Sequence, residues 1–239
     1  MSSEPLQAVI LAGGKGTRLR PYTTVLPKPL VPIGDVPILE VILKQLARRG
    51  FREIVISTGH LSELIEAYFG NGQKWGLSIR YVTEPRPLST AGALSLITGL
   101  HDNFLVMNGD ILTTLPYRAL YNFHVARKAA ATIGIFAQAI EINYGVVRTR
   151  NGDHLDRFEE KPRLNHFVSM GVNVLNRSAI RHIPKEKPMA MPDLLKKLQQ
   201  KKERVLCYKA AGTWFDIGSI EHYQIAQDYF EKHHAQFGL

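Results

Sequence analysis

The sequence holds a single cysteine, Cys207, which excludes an internal disulfide framework and a cysteine-based metal cage. That suits a reducing compartment, and a cytoplasmic protein is the expectation. No apolar run approaches the roughly 18 residues needed to cross a bilayer, and no charged segment with an apolar stretch behind it opens the chain. Neither membrane insertion nor a removable leader is expected. Acidic residues are the scarcer charge, 21 against 30 Lys and Arg, and the formal net charge is +9. Such an excess raises the question of nucleic acid, because basic proteins gain affinity by releasing counterions from phosphate backbones. The distribution argues otherwise: Lys196, Lys197, Lys201, Lys202 and Arg204 form the one dense cluster, at a polar helix end and turn with no aromatic stripe beside it. A solvated face that steers anions is the reading, with no nucleic-acid partner. No Ser-His-Asp or Cys-His arrangement is convincing either. His60, His101 and His233 read as surface or capping residues, and Cys207 in RVLCYKA as a strand position.

What the sequence does have is enough apolar content, 45% of 239 residues, for one sizeable core, and residues 1–239 read as a single domain. Strand and helix signals alternate through the first half. Gln7 to Ala12, Glu53 to Ser57, Leu77 to Val82 and Phe104 to Asn108 are short apolar strands. Between them lie a helix from Pro37 to Gly50, capped by Asp35 and buried through Ile38, Val41, Ile42 and Leu46, and a shorter one from Leu61 to Phe69. A loop over 84–92 enters a helix near Ala91. This alternation predicts an α/β fold with a mostly parallel, doubly wound sheet. The periodicity then changes. Ala131 to Gln138 and Phe167 to Leu175 read as strands, and Tyr144 to Arg150 pairs with Asp153 to Phe158 across Asn151 and Gly152. A helix from Pro192 to Gln200, an edge strand from Arg204 to Tyr208 and a helix from Ser219 to about His233 complete the chain.

The most informative stretch is QAVILAGGKGTRLRPYTTVLPKPLVPIG, residues 7–34, in which a buried strand runs into a glycine-rich, cationic loop. Gly13, Gly14 and Gly16 allow the backbone N–H groups to converge on phosphate oxygens, and Lys15, Arg18, Arg20 and Lys28 supply positive charge. Two commoner phosphate motifs fail. A P-loop needs Ser or Thr directly after its Lys, whereas Gly16 follows Lys15, and a dinucleotide fingerprint needs Gly or Ala where Leu19 stands. What the stretch resembles is the signature of the sugar-1-phosphate nucleotidyltransferases, LAGGxGTRLxP from Leu11 to Pro21 followed by PKPLxPI from Pro27 to Ile33, closest in look to the mannose- and heptose-1-phosphate guanylyltransferases.

The resemblance implies a Rossmann-like, mixed but mostly parallel sheet flanked by helices, with a sugar-binding β-hairpin subregion. Residues 1–128 would mainly bind nucleotide, residues 129–239 mainly sugar phosphate, and no C-terminal β-helix domain is expected. It implies transfer of a nucleotidyl group from an NTP to a sugar 1-phosphate with release of pyrophosphate, GTP with a manno-configured hexose or heptose 1-phosphate being the preferred pair. Uridylyl, thymidylyl or cytidylyl transfer is the enzymatic alternative, and a catalytically silent NDP-sugar sensor the alternative of another class. Arg18 and Lys28 would be the catalytic cations. Leu11, Ala12, Gly13, Gly14, Gly16, Thr17, Glu84, Ser89, Thr90 and Asn108 would bind the nucleotide. Glu84 suits guanine, since a carboxylate only accepts and guanine offers adjacent N1–H and amine donors. Many relatives have glycine after leucine in that loop, where this chain has Ser89. Gly145, Glu160, Lys161 and Asn173 would hold the sugar phosphate. Asp110, at a strand end, and Asp216, in the WxDIG-like Trp214 to Gly218, would hold Mg²⁺ as hard oxygen ligands. A homo-oligomer is left open.

Overall fold

The computed structural model describes residues 5–238. Its centre is a seven-stranded sheet in the order β12-β8-β11-β6-β1-β4-β5. The strands are β1 (Leu6–Ala12), β4 (Phe51–Thr58), β5 (Ser78–Thr83), β6 (Asn103–Asn108), β8 (Ala131–Glu141), β11 (Arg163–Asn176) and β12 (Val205–Ala210). Pairing is parallel except along β11, which runs antiparallel to both β6 and β8. The expected mixed, mostly parallel α/β sheet is therefore present. Strand β1 has β4 on one side and β6 on the other, so the chain reverses its direction of winding beside β1. Open α/β sheets form their ligand crevice at that point.

Burial of both faces explains the apolar run in β1. Ala8, Ile10 and Ala12 enter one core layer, while Val9 and Leu11 pack into the layer on the other face. The first layer is covered by α1 (Ile38–Arg48), whose Ile38, Val41, Ile42 and Leu46 are all buried as their spacing required. On this side also lie α2 (Ser62–Phe69) and α6 (Ile220–His233), and α5 (Met191–Gln200) packs on the other.

Two local expectations are corrected, and one helix had gone unread. Asp35 does not cap α1: β2 (Pro32–Ile33) and β3 (Val36–Pro37) pair across Gly34 and Asp35, so Asp35 is spent in the turn and Pro37 becomes an N-cap with no side-chain bond. The 84–92 loop yields only a single turn, α3 (Ser89–Gly92), before a 3-10 segment. Helix α4 (Tyr117–Ala126) had no apolar stripe to betray it, because its inward positions are Tyr117, Leu120 and a histidine, His124.

His124 is buried and bonded on both ring nitrogens, Nδ1 to Thr132 Oγ1 at 2.9 Å and Nε2 to Asn103 Oδ1 at 3.1 Å. Asn103 Oδ1 also accepts from Asn176 Nδ2, which places the imidazole proton on Nε2. Burial pushes the His124 pKa down to about 4. A lowered histidine pKa means that the folded state holds the neutral ring, so its stabilising contribution is complete above about 6.5 and is lost as pH falls toward 4. Urea midpoints at pH 7.5 and 5 are expected to drop further for the wild type than for His124→Gln; equal drops would contradict this assignment.

Candidate active site

The loop after β1 is set by its contacts. Gly16 takes φ +62°, and its carbonyl accepts from Leu19 N at 2.9 Å and Thr23 Oγ1 at 2.7 Å. A Cβ on Gly13 would lie 2.3 Å from Glu84 Oε1, whereas one on Gly14 would meet nothing within 4 Å among the described residues. The loop is thus pressed onto Glu84 at one glycine and open at the next. Glu84 itself is held at both oxygens: Oε1 accepts from Ser57 Oγ at 3.2 Å and Oε2 from Leu88 N at 2.9 Å.

Strand β6 delivers the second wall. Gly109 N donates to Leu11 O at 2.9 Å, tying the ends of the two neighbouring strands, and Asp110 follows. The short strands β7 (Ile111–Thr113) and β13 (Trp214–Asp216) pair antiparallel with Ile111 opposite Asp216, and Ile217 N donates to Asp110 O at 3.1 Å. Two carboxylates far apart in sequence are brought side by side. Lys28 Nζ forms an ion pair with Asp110 Oδ2, both side chains being largely buried. Among the described residues, Asp110 Oδ1 is buried without a hydrogen-bond partner. A Cβ on Gly218 would sit 3.1 Å from Asp216 Oδ1 and 3.4 Å from an Arg18 guanidinium nitrogen, so that glycine leaves room for Arg18 and Asp216 together. Burial, and then the charge of Asp110, raise the Asp216 pKa against the opposing pull of Lys28, Arg18 and His222. A second cationic centre at this spot would relieve both the repulsion and the orphaned oxygen, so the donor set fits a hard cation.

Between these walls lies a cavity of about 250 Å³. Its lining brings together Leu11, Ala12, Gly13, Gly14, Glu84, Ser89, Thr90 and Asn108 with Lys28 and Asp110. Gly16 and Thr17 lie just past it, at the start of a 3-10 turn. Pro29, Pro87, Ala93 and Gly109 also line it; Pro29 belongs to the PKPLxPI element, whereas the other three offer no polar side chain to mark them. The sugar-side candidates divide. Gly145 and Glu160 meet on the arm formed by β9 (Val146–Arg150) and β10 (His154–Glu159): a Cβ on Gly145 would lie 2.5 Å from Phe158 Cζ and 3.2 Å from Glu160 Oε2. Lys161 is exposed beside them, with φ +45°. Asn173 lies in β11, paired along the backbone with Val106 and Ile133; it is buried, and among the described residues its Oδ1 has no hydrogen-bond partner. Two residues before it, Gly171 packs closely against the cavity-lining Asn108, since a Cβ there would reach Asn108 Nδ2 at 2.8 Å.

This fold and crevice define a class, and comparison with known proteins gives it a family. The pattern of the nucleotidyl transferase family matches residues 7–233, and the chain belongs to that family. It is 33% identical over 230 residues to a mannose-1-phosphate guanylyltransferase of Mycobacterium tuberculosis, covering 92% of this chain and 63% of the relative. It is 32% identical to a D-glycero-alpha-D-manno-heptose 1-phosphate guanylyltransferase of Aneurinibacillus thermoaerophilus, over 93% of this chain and 97% of that one. A UTP–glucose-1-phosphate uridylyltransferase of Synechocystis matches at 33%, over 91% and 61%. Against the first curated relatives, the chain spans about three fifths of their length. Among solved structures, HddC from Yersinia pseudotuberculosis superposes with a TM-score of 0.72 at 24% identity, over 94% of this chain and 99% of that chain. A UDP-glucose pyrophosphorylase does so at 0.74 and 22%, over 95% and 99%. At such identities these two speak for the fold. Among the described residues, no helix is long and apolar enough to cross a membrane.

Proposed function

We propose that this chain is a cytoplasmic sugar-1-phosphate nucleotidyltransferase that uses GTP and a manno-configured hexose or heptose 1-phosphate. The observation that carries the reading is the convergence of the glycine loop, Lys28, Asp110 and Asp216 at one end of the sheet. The guanylyltransferase relatives favour the substrates. An oxygen of the sugar phosphate attacks the α-phosphorus, the bond from that phosphorus to the bridging oxygen breaks, and pyrophosphate leaves. The nucleophile is already anionic, so no base is needed, and the work of the protein is alignment and charge neutralisation. Lys28 and Arg18 face the phosphates as fixed cations. Asp110 and Asp216 would hold Mg²⁺, which supplies further charge neutralisation at the phosphates. Residues 1–128 are assigned mainly to the nucleotide and residues 129–239 mainly to the sugar phosphate, through Gly145, Glu160, Lys161 and Asn173.

Pyrophosphate release across four NTPs and a set of sugar 1-phosphates tests the reading. GTP with mannose or manno-heptose 1-phosphate is expected to give the highest kcat/KM; preference for UTP, dTTP or CTP would move the enzyme to the corresponding transferase, and no turnover with any pair would favour a silent sensor. The base assignment has its own variant. Glu84→Gln keeps the local structure, because the amide oxygen can accept from Leu88 N while its nitrogen donates to Ser57 Oγ. It places a donor against the guanine edge. The UTP to GTP ratio of kcat/KM is expected to rise about 10- to 100-fold, equivalent to about 1.4 to 2.8 kcal/mol. An unchanged ratio would take Glu84 out of base reading.

A further inference from the structure

Ser89 lines the cavity with φ +63°, a left-handed conformation that a residue bearing a Cβ adopts only at a cost. Such strain persists where the surroundings over-determine it. Here they do. Leu88 is fully buried, its N–H is held by Glu84 Oε2, and its carbonyl accepts from Met189 N at 3.0 Å. Met189 O accepts from Ala91 N and Gly92 N, both at 2.9 Å, and Thr90 Oγ1 accepts from Met191 N at 2.7 Å. Gly92 permits this closeness, since a Cβ on it would lie 2.7 Å from Lys187 O. The segment before α5 therefore clamps the loop on both sides of Ser89. Glu84, Arg86 and Thr90 have their side chains committed to backbone groups, Arg86 to Glu186 O at 2.7 Å. The Ser89 side chain is exposed at the cavity and bonds to no described residue.

We infer that Ser89 is a specificity-determining contact to the nucleotide, its hydroxyl donating to a carbonyl oxygen of the base beside the acceptor-only carboxylate of Glu84. This rests on the cavity being the nucleotide site. Glu84 offers no donor, and a base edge that carries both N–H donors and a carbonyl needs one. The clamp holds a strained backbone so that a hydroxyl stands where a glycine would leave none.

Two variants separate the hydroxyl from the strain. Ser89→Ala removes the oxygen and keeps the Cβ, whereas Ser89→Gly removes both. Calorimetric titration with GTP and with 2′-deoxy-GTP is expected to show a Kd weakened about 3- to 10-fold in each variant, the loss of one hydrogen bond. The loss should be the same for both nucleotides, and only Ser89→Gly should melt at a higher temperature. A penalty that vanishes with 2′-deoxy-GTP would place the contact on the ribose and overturn the base assignment. Unchanged Kd values in both variants, with a wild type that binds GTP, would overturn the inference alone. A wild type that binds no NTP would overturn it together with the nucleotide reading of the cavity.

Discussion

Asp110→Asn and Asp216→Asn are each expected to lower kcat by about 100- to 1,000-fold, the usual loss when one electrostatic element of a transfer site is removed. Their effects on stability should have opposite signs, which makes the pair more informative than activity alone. Asp110 neutralises Lys28 in a largely buried ion pair, so its amide leaves a cation short of its partner, and Asp110→Asn should melt earlier. Asp216 is the reverse case. Burial and Asp110 raise its pKa, so folding disfavours its ionised form. Stability tied to that group is present below the ordinary carboxylate range and is lost as pH rises through the raised folded pKa. Asp216→Asn should therefore melt later than the wild type at pH 7, with the gap closing as pH falls below about 4. Melting curves from pH 3 to 8, read beside steady-state rates, check both halves. Wild-type turnover in either variant, or a destabilised Asp216→Asn, would break the assignment of these carboxylates as a repelling pair poised for a cation.

The second large effect concerns the sugar side. Lys161→Ala is expected to raise KM for the sugar phosphate about 10- to 150-fold, the loss of a charge-assisted contact worth about 1.5 to 3 kcal/mol, and to leave KM for the NTP unchanged. Lys161 takes φ +45° in the turn between β10 and β11, so Lys161→Gly supplies a control. It should show the same rise in KM and yet melt higher, because glycine relaxes a backbone that Ala leaves strained. Equal rises for both substrates would remove Lys161 from the sugar phosphate. A Gly variant with normal KM would make the residue a matter of turn geometry.

Much of this was legible in the residues because the features concerned are local. The run from Gln7 to Ala12 read as a two-sided strand from its length and apolar content, and the Gly13 to Gly16 loop behind it as a turn of close backbone approach. The α1 face of Ile38, Val41, Ile42 and Leu46 followed from helical spacing, and all four are buried. What stayed hidden depends on partners distant in sequence. Helix α4 turns a histidine inward, a choice that makes sense only beside Asn103 and Thr132. Asp35 looked like a cap until the β2–β3 pairing took it as a turn residue. Asn173 showed its functional group in the sequence, but not that β11 would leave its Oδ1 buried without a partner among the described residues. At Ser89 the residue type gave no sign of a left-handed backbone at φ +63°, because the segment 187–191 that clamps the loop is distant in sequence.

Attack on an α-phosphorus in the cavity between Gly14 and Asp110 would send the α- and γ-phosphates of GTP into different products, which label transfer distinguishes. GTP labelled at the α-phosphate, and separately at the γ-phosphate, would be incubated with mannose 1-phosphate or manno-heptose 1-phosphate and Mg²⁺, and the products separated. The α-label is expected in the nucleotide sugar and the γ-label in pyrophosphate, with neither transfer in Asp110→Asn. Appearance of the γ-label on the sugar, or of α-label in GMP alone, would contradict it.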